Sequence, residues 1–301
     1  MCAKLSRVLT IVVTAFREEN TVGRAINALI GQPLPDDWEL LVVCPDDATA
    51  AVAAAVQAEC PAVRCLRDEG RGKPAALNLA FKEARGGLLV LTDGDVYVGD
   101  GAVPALLTPF ADPAVGIASG RPVSISPRDT MLGYWSHLLV EAGAHRQRSL
   151  RSASGEFFES SGYLYAFRRS LVSDIPEDSL AEDGLISHRI AEQGLRTAYA
   201  PDAVVYVKYP STYSDWMKQK IRSVGGYAQN YVHAARGMRS LRREALDGTM
   251  AALEFARGPR ELWWTLLLFA ARLHVWLRVW WDVRLRKRSF ATLWQRVNST
   301  K

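Results

Sequence analysis

With 301 residues, 49% of them apolar and 23% charged, the chain is long enough for a full α/β core and too apolar for global disorder. Its net charge of +5 is uneven: ten Lys/Arg against two acids lie between Arg257 and Lys301, leaving about −3 on the first 256 residues. A nucleic-acid reader would carry its basic surface on the folded body, so no nucleic-acid partner is expected.

Strand and helix patterns alternate up to about residue 120. Val8–Ala15 is a continuous apolar run, Thr21–Ile30 is amphipathic, Glu39–Cys44 is a second apolar run and Ala48–Glu59 is an Ala-rich helix. A short strand at Val63–Leu66, a helix over Pro74–Ala84, a strand at Leu88–Thr92, a helix over Ala102–Phe110 and a strand at Val115–Ser119 follow. This alternation predicts an α/β fold with a mostly parallel sheet and ligands at the strands' carboxyl ends. From 120 to 210 the pattern loosens, with mixed strands expected at Gly162–Phe167 and Val204–Val207. The four cysteines (Cys2, Cys44, Cys60, Cys65) have neither disulfide nor zinc spacing and read as reduced cytosolic thiols. No signal peptide is expected before the first strand. A catalytic domain over 1–247 and a tail over 248–301, hinged between Gly248 and Pro259, fit the pattern.

Chemistry concentrates at the predicted strand ends. Leu89–Thr92 runs directly into Asp93-Gly94-Asp95, two carboxylates at i, i+2; these form either a tight turn or ligands for a hard divalent cation such as Mg²⁺ or Mn²⁺. After the first strand, Ala15-Phe16-Arg17-Glu18-Glu19 offers a base-stacking ring and an acid, or else a core aromatic and first-turn helix acids. Pro45-Asp46-Asp47 follows the second strand. Gly70-Arg71-Gly72-Lys73 opens a helix, where backbone N–H groups and cations suit a phosphate; Lys73 could equally be solvated. Glu182-Asp183 starts a later helix. Five accidents at five carboxyl edges are harder to accept than one site.

Together these motifs resemble family 2 glycosyltransferases, inverting enzymes of GT-A fold, over residues 7 to 235. The resemblance implies a nucleotide pocket at Ala15, Phe16 and Glu18, where Phe16 and Arg17 replace the family's usual Tyr and Asn. It implies a donor contact at Lys73, within a stretch similar to G-K-x-x-A-L-N. Asp93 would touch the donor and, with Asp95, hold Mn²⁺ or Mg²⁺ as a D-x-D. The acceptor region would include Gly162, from a G-x-x-x-A-F-R-R segment, and Glu182. Asp183 would be the general base. Two departures stand out. The usual D-D-G-S is Cys44-Pro45-Asp46-Asp47, so Asp46 is the choice for the uracil contact. Q-x-x-R-W becomes Gln219-Lys220-Ile221-Arg222-Ser223; without the Trp, long-chain polymerisation is not expected, while Gln219 and Arg222 either grip diphosphate or acceptor or form a polar helix face. The implied reaction is transfer from a nucleotide-diphosphate donor, UDP by default, to a lipid-linked or saccharide acceptor.

The tail carries six tryptophans between Trp263 and Trp294. Its longest uninterrupted apolar stretch, Leu262 to Ala271, is too short to span a bilayer. Wound as a helix, Leu266, Phe269, Ala270, Leu273, Trp276, Leu277 and Trp280 share one face, with the polybasic cluster Arg284, Arg286, Lys287, Arg288 beyond it. This reads as an in-plane helix on an anionic membrane surface, at the cytoplasmic face of the cell membrane. A helix docked on the catalytic domain and a tilted span are the alternatives. Three rivals to this transfer reading are a processive polysaccharide synthase of the same family, which product length would separate, a sugar-nucleotide pyrophosphorylase, whose Gly-rich loop after the first strand is missing, and a catalytically silent membrane-bound nucleotide-sugar sensor, which would not need Asp183.

Overall fold

Runs without polar alternation make strands buried on both faces. In the computed structural model, which describes residues 9–226, 241–282, 286, 297, 299 and 300, β1 (Leu9–Thr14), β2 (Trp38–Cys44), β3 (Val63–Arg67) and β4 (Leu88–Asp93) are parallel, in spatial order β3-β2-β1-β4. Between them lie α1 (Val22–Ile30), α2 (Asp47–Glu59) and α3 (Lys73–Glu83). The chain moves outward from β1 to β3 and then returns to the other side of β1. Accordingly α1 packs on one sheet face through Val22, Ile26 and Leu29, beside Ile11 and Val13, while Leu77, Ala80 and Phe81 of α3 pack on the opposite face beside Val12. Each fully buried Leu or Ile of this kind contributes roughly 1.5–3 kcal/mol. The strand order therefore reverses at β1/β4, where Thr14 lies in register with Asp93. Crevices at such reversals are where open α/β sheets bind ligands.

The rest of the sheet is mixed. β5 (Tyr97–Val98), β6 (Val115–Ser124), β7 (Leu164–Arg168) and β8 (Arg196–Val207) continue the order as β7-β6-β8-β5, with β7 antiparallel to both β4 and β6. β6 and β8 run well beyond the strands expected at Val115–Ser119 and Val204–Val207, passing through a register shift between Ser119 and Arg121. The short helix α4 (Ala102–Leu107) ends in a 3-10 turn, Thr108–Ala111.

The segment expected to be loose contains a helix instead. α5 (Met131–Leu138) continues through a π-helical stretch, Leu139–His145, into α6 (Arg146–Ala153). It carries no clean amphipathic stripe because it is covered from two sides: Tyr134, Trp135 and Leu138 are buried against the C-terminal helices. After α7 (Glu182–Glu192) come α8 (Tyr213–Gly226), α9 (Leu241–Glu254) and α10 (Pro259–Trp280). Gly248, expected in a hinge, lies inside α9, and the break falls at residues 255–258.

α10 runs straight through Arg272, so it reaches 22 residues rather than the ten of its longest uninterrupted apolar run. By length and composition alone such a helix is long enough to cross a bilayer, with 28% of its most apolar window buried. One face is docked on the body of the protein. Thr265, Leu268, Ala271, Val275 and Val279 are buried there, Trp135 Nε1 donates to the Trp264 carbonyl (2.6 Å) and Arg128 clasps Glu261 with two bonds of 3.0 Å. Most of the face picked out by periodicity points the other way: Leu266, Leu273, Leu277 and Trp280, joined by Leu262 and Trp263, are 42% to 59% exposed. Arg284, Lys287, Arg288 and Trp294 lie outside the described residues.

Candidate functional site

A cleft of about 830 Å³ opens at the carboxyl ends of β1 and β4. That is the upper part of the range for small-ligand pockets, enough for two reactants side by side. Ala15, Phe16 and Glu18 line it at the end of β1, as do Asp93 and Asp95 at the end of β4, Gly162 before β7, Glu182 and Asp183 at the start of α7, and Gln219 and Arg222 on α8.

The loop after β1 carries backbone strain that its hydrogen bonds to the start of α2 offset. Arg17 takes φ +52°, a left-handed conformation that side chains other than Gly, Asn and Asp rarely adopt. Its N–H donates to Asp46 Oδ2 at 2.7 Å, and the Glu18 N–H donates to Thr49 Oγ1 at 2.9 Å, tying the loop to α2. Phe16 is left 39% exposed, a ring presented to the cleft. Arg17→Asn is expected to gain up to about 1 kcal/mol of stability by relieving the left-handed strain, measured by denaturant melting.

Asp46 does not line the cleft. Its carboxylate caps α2, with Oδ1 accepting from the Thr49 N–H (3.0 Å) and Oδ2 from Arg17. These bonds hold its pKa below the ordinary carboxylate value against the opposing effect of burial. The acid on this part of the wall is Asp68, after β3, which sequence reasoning passed over. Its Oδ2 accepts from the Gly70 N–H (3.0 Å), while Oδ1 is buried with no hydrogen-bond partner among the described residues.

Gly94 is needed for a close approach: a Cβ there would sit 2.6 Å from Glu18 Oε2 and 2.8 Å from Ala15 Cβ. The β1 and β4 motifs are thus packed into one edge. Asp93 Oδ1 accepts from Thr14 Oγ1 (3.1 Å) and from Lys73 Nζ (2.7 Å). Lys73 also pairs with Glu182 Oε1 at 2.8 Å. Burial disfavours its charge, but Asp93 and Glu182 outweigh that and hold it firmly protonated. Lys73 therefore joins the D-x-D to the E-D pair, where a direct phosphate contact was expected. The middle of the same helix steadies the segment before the E-D pair with two more bonds, since Asn78 Nδ2 donates to the Ile175 carbonyl and Asn78 Oδ1 accepts from the Ile175 N–H, both at 2.8 Å. The sequence offered a cue for this in the side-chain amide of Asn78, which both donates and accepts.

Adjacent carboxylates are pushed apart. Glu182 lies below its ordinary value, because Lys73 overrides the effect of burial. Asp183 is raised from 3.8 to about 6, first by burial and then by the charges of Glu182 and Glu159. Divergent neighbours of this kind separate acid and base roles. Gly162 fits closely beside Asp183: a Cβ would lie 3.0 Å from Oδ2. Gly162→Ala is expected to turn the Asp183 carboxylate and cut turnover about 10²-fold with little change in Tm, read from initial rates and melting.

On α8, Gln219 Nε2 donates to the Tyr163 hydroxyl (3.1 Å). Burial, then the charge of Asp95, hold the Tyr163 phenol protonated. Among the described residues no three acidic, His or Cys side chains form a metal cluster. Asp93 and Asp95 still fit a hard cation, which commonly takes one or two carboxylates and fills its remaining positions with substrate phosphate and water.

Residues 6–226 match the family described as "Glycosyltransferase like family 2". Among curated proteins, the chain is 24% identical over 294 residues to an N-acetylglucosaminyltransferase of Rhizobium meliloti, covering 86% of this chain and 68% of that protein. It is 23% identical over 225 residues to a poly-beta-1,6-N-acetyl-D-glucosamine synthase of Staphylococcus aureus, covering 72% of this chain and 54% of the synthase, so it spans about half of that relative. A mannosyltransferase from Pyrobaculum calidifontis, solved with GDP-Man and Mn²⁺, superposes with a TM-score of 0.60 at 22% identity, covering 95% of this chain and 82% of that one. Glucosyl-3-phosphoglycerate synthase from Mycobacterium tuberculosis, solved with Mn²⁺, UDP and phosphoglyceric acid, superposes at 0.51 and 20% identity, covering 78% and 80%. These likenesses carry the GT-A fold.

Proposed function

The chain belongs to glycosyltransferase family 2, and from that premise we propose that it moves a sugar from a nucleotide-diphosphate donor to a hydroxyl of a lipid-linked or saccharide acceptor, by single displacement with inversion. The observation that carries this is the pairing of Asp183, a half-buried carboxyl raised to about 6, with Glu182, tied through Lys73 to Asp93. Asp183 takes the acceptor proton while the oxygen attacks the anomeric carbon. One carboxylate suffices, because the diphosphate leaves without protonation; hydrolases instead need a pair. Phe16 stacks on the donor base. Asp68, with its buried unpartnered oxygen, replaces Asp46 as the acid that accepts from the base. Asp95, with Asp93, would hold Mn²⁺ or Mg²⁺, which supplies Lewis-acid neutralisation of the departing diphosphate. Gln219, fixed by Tyr163, and Arg222 close the diphosphate end. UDP is the expected donor nucleotide.

The exposed Trp/Leu face of α10 supports peripheral attachment to an anionic membrane surface, at the cytoplasmic side, through the 248–301 tail. The docked face accounts for the residues that a spanning helix would turn to lipid.

The direct test is nucleoside diphosphate release from UDP-, GDP- and dTDP-sugars with membrane extract as acceptor. Each donor is run with Mn²⁺, with Mg²⁺ and with a chelator. Release from one donor, abolished by chelation and by Asp95→Ala, is the expected result. Equal release with chelator present would remove the metal from the scheme. Release from none, with nucleotide binding intact, would return the protein to the silent-sensor reading.

A further inference from the structure

The cleft is larger than the catalytic edge, and its two ends differ in chemistry. Apart from Glu159, its carboxylates come from the ends of β1, β3 and β4 and from the start of α7. Beyond them the wall is built by the π-helical stretch with α6, by α8, and by α9 and α10. Here cations alternate with apolar groups: Arg148 and Arg151 on α6, Lys220 on α8 and Arg272 on α10, against Val140, Val224, Ala252, Leu268 and Phe269. The two halves join directly. Arg148 Nε donates to the Glu159 carbonyl at 3.2 Å, and the Glu159 carboxylate lies 3.7–3.9 Å from the position a Cβ on Gly184 would take, one residue beyond Asp183. Arg148 is buried in this wall, whereas Arg151 and Arg272 are half-buried.

A saccharide-only acceptor needs hydroxyl-matching acceptors and donors, and gains nothing from several cations set among aliphatic groups. A phosphate does need cations, most of all guanidinium groups with their forked donors. An alkyl or isoprenoid chain needs the apolar groups between them. The same helix that sends Leu268, Phe269 and Arg272 into the cleft turns Leu266, Leu273 and Leu277 outward, exposed. One rigid element therefore borders both the acceptor half of the cleft and the face that would meet a membrane.

We propose that the α6–α8–α10 half of the cleft is a subsite for an anionic amphiphile, a lipid whose phosphate is held by Arg148, Arg151 and Arg272 while its first apolar carbons lie along Leu268, Phe269 and Val224. This rests on the reading of Asp183 as the base and narrows the acceptor to the lipid-phosphate class. It also gives the docked face of α10 a role in the site, since separating α10 from the body would dismantle the subsite.

Binding to the full chain, followed by calorimetry, tests it with three probes: decyl phosphate below its micellar concentration, decyl maltoside and inorganic phosphate. Decyl phosphate is expected to bind at least about tenfold more tightly than either comparison probe. Arg272→Gln and Arg151→Gln should each weaken it by about tenfold, the scale of one lost charge-assisted hydrogen bond. Arg272→Lys, which keeps the charge but not the fork, should lose clearly less affinity than Arg272→Gln, which separates loss of charge from loss of fold. Affinity for UDP with Mn²⁺ should be unchanged in all three variants. Equal binding of decyl maltoside would reduce the effect to detergent adsorbed on the exposed α10 face and overturn the proposal. Equal binding of inorganic phosphate would remove the apolar half of the subsite and overturn it too. A parallel loss of UDP affinity would assign the cations to the donor, again against it. Because decyl phosphate binding is read without turnover, failure of the transferase reading shows separately, as absent UDP binding or absent transfer.

Discussion

Asp183→Asn is expected to lower transfer about 10²- to 10⁴-fold while making the protein more stable at neutral pH. Both effects have one origin. The folded chain surrounds this carboxyl with burial first, then with the negative charges of Glu182 and Glu159, and Lys73 only partly compensates. Its proton is therefore held to about pH 6, against 3.8 ordinarily. A carboxyl raised in the folded state binds protons more tightly there than in the unfolded chain. Stability on its account falls as pH rises from about 4 to 6, and the cost stays fully present at pH 7. Two pKa units set a ceiling of roughly 3 kcal/mol, and about 1–2 is the fair expectation for a carboxylate bordering open solvent. Asparagine removes the ionisation and with it the cost, so Tm at pH 7 should rise by about 2–4 °C per kcal/mol. At pH 4, where both forms are neutral, the two proteins should melt alike. In the parent enzyme, kcat/KM should fall below about pH 6, where the base holds its proton. An inactive variant that is also less stable at pH 7 would mean that Asp183 supports the fold instead of straining against it.

Much of this edge was legible from residue order alone. Apolar runs that end in acids can be read because a buried strand excludes charge until its end, and β1, β2 and β4 match that rule to within a residue or two. What could not be read depends on partners distant in sequence. Lys73 at a glycine-rich helix start looks like a phosphate ligand; only the fold shows Asp93 and Glu182 at 2.7 and 2.8 Å from its nitrogen. Asp46 and Asp68 are each an acid after a strand, but Asp46 stands directly before α2 and is taken up by the Thr49 and Arg17 amides, whereas Asp68 lies five residues before α3 and keeps its carboxylate on the cleft wall. The helix Met131–Leu138 was invisible because it is buried almost all round, between the sheet and the tail, which erases the stripe that periodicity detects. The tail posed the reverse problem. α10 has an apolar face for the body and another for its surroundings, and periodicity picked out the outward one.

Lys73→Met should be the most damaging single change outside the base itself. Methionine keeps the length and removes the charge, leaving Asp93 and Glu182 to face each other across the site with no cation between them. Breaking a fully buried pair costs about 3–5 kcal/mol; here the side chains of Lys73 and Asp93 keep 23% and 24% exposure, so about 2–4 kcal/mol is expected at pH 7. The pH dependence separates this mechanism from simple loss of packing. In the parent chain Lys73 holds Glu182 below its ordinary value, so that contribution is present at neutral pH and lost as pH falls through the depressed pKa. In the variant Glu182 has no cation to hold it down and its carboxyl rises instead, so the gap in stability between parent and variant should close as pH falls from 7 toward 4. A packing defect would leave the gap constant. Adding Glu182→Gln to Lys73→Met should recover part of the stability at pH 7, with a coupling of about 0.5–3 kcal/mol in the double-mutant cycle. It should not recover transfer, because Asp93 would still lack the ammonium that fixes its carboxylate at the donor edge, and a displacement of about 1 Å there costs on the order of 10²-fold. Stability restored without activity would establish that one lysine serves the fold through Glu182 and the chemistry through Asp93. Full recovery of both would reduce Lys73 to a counterion.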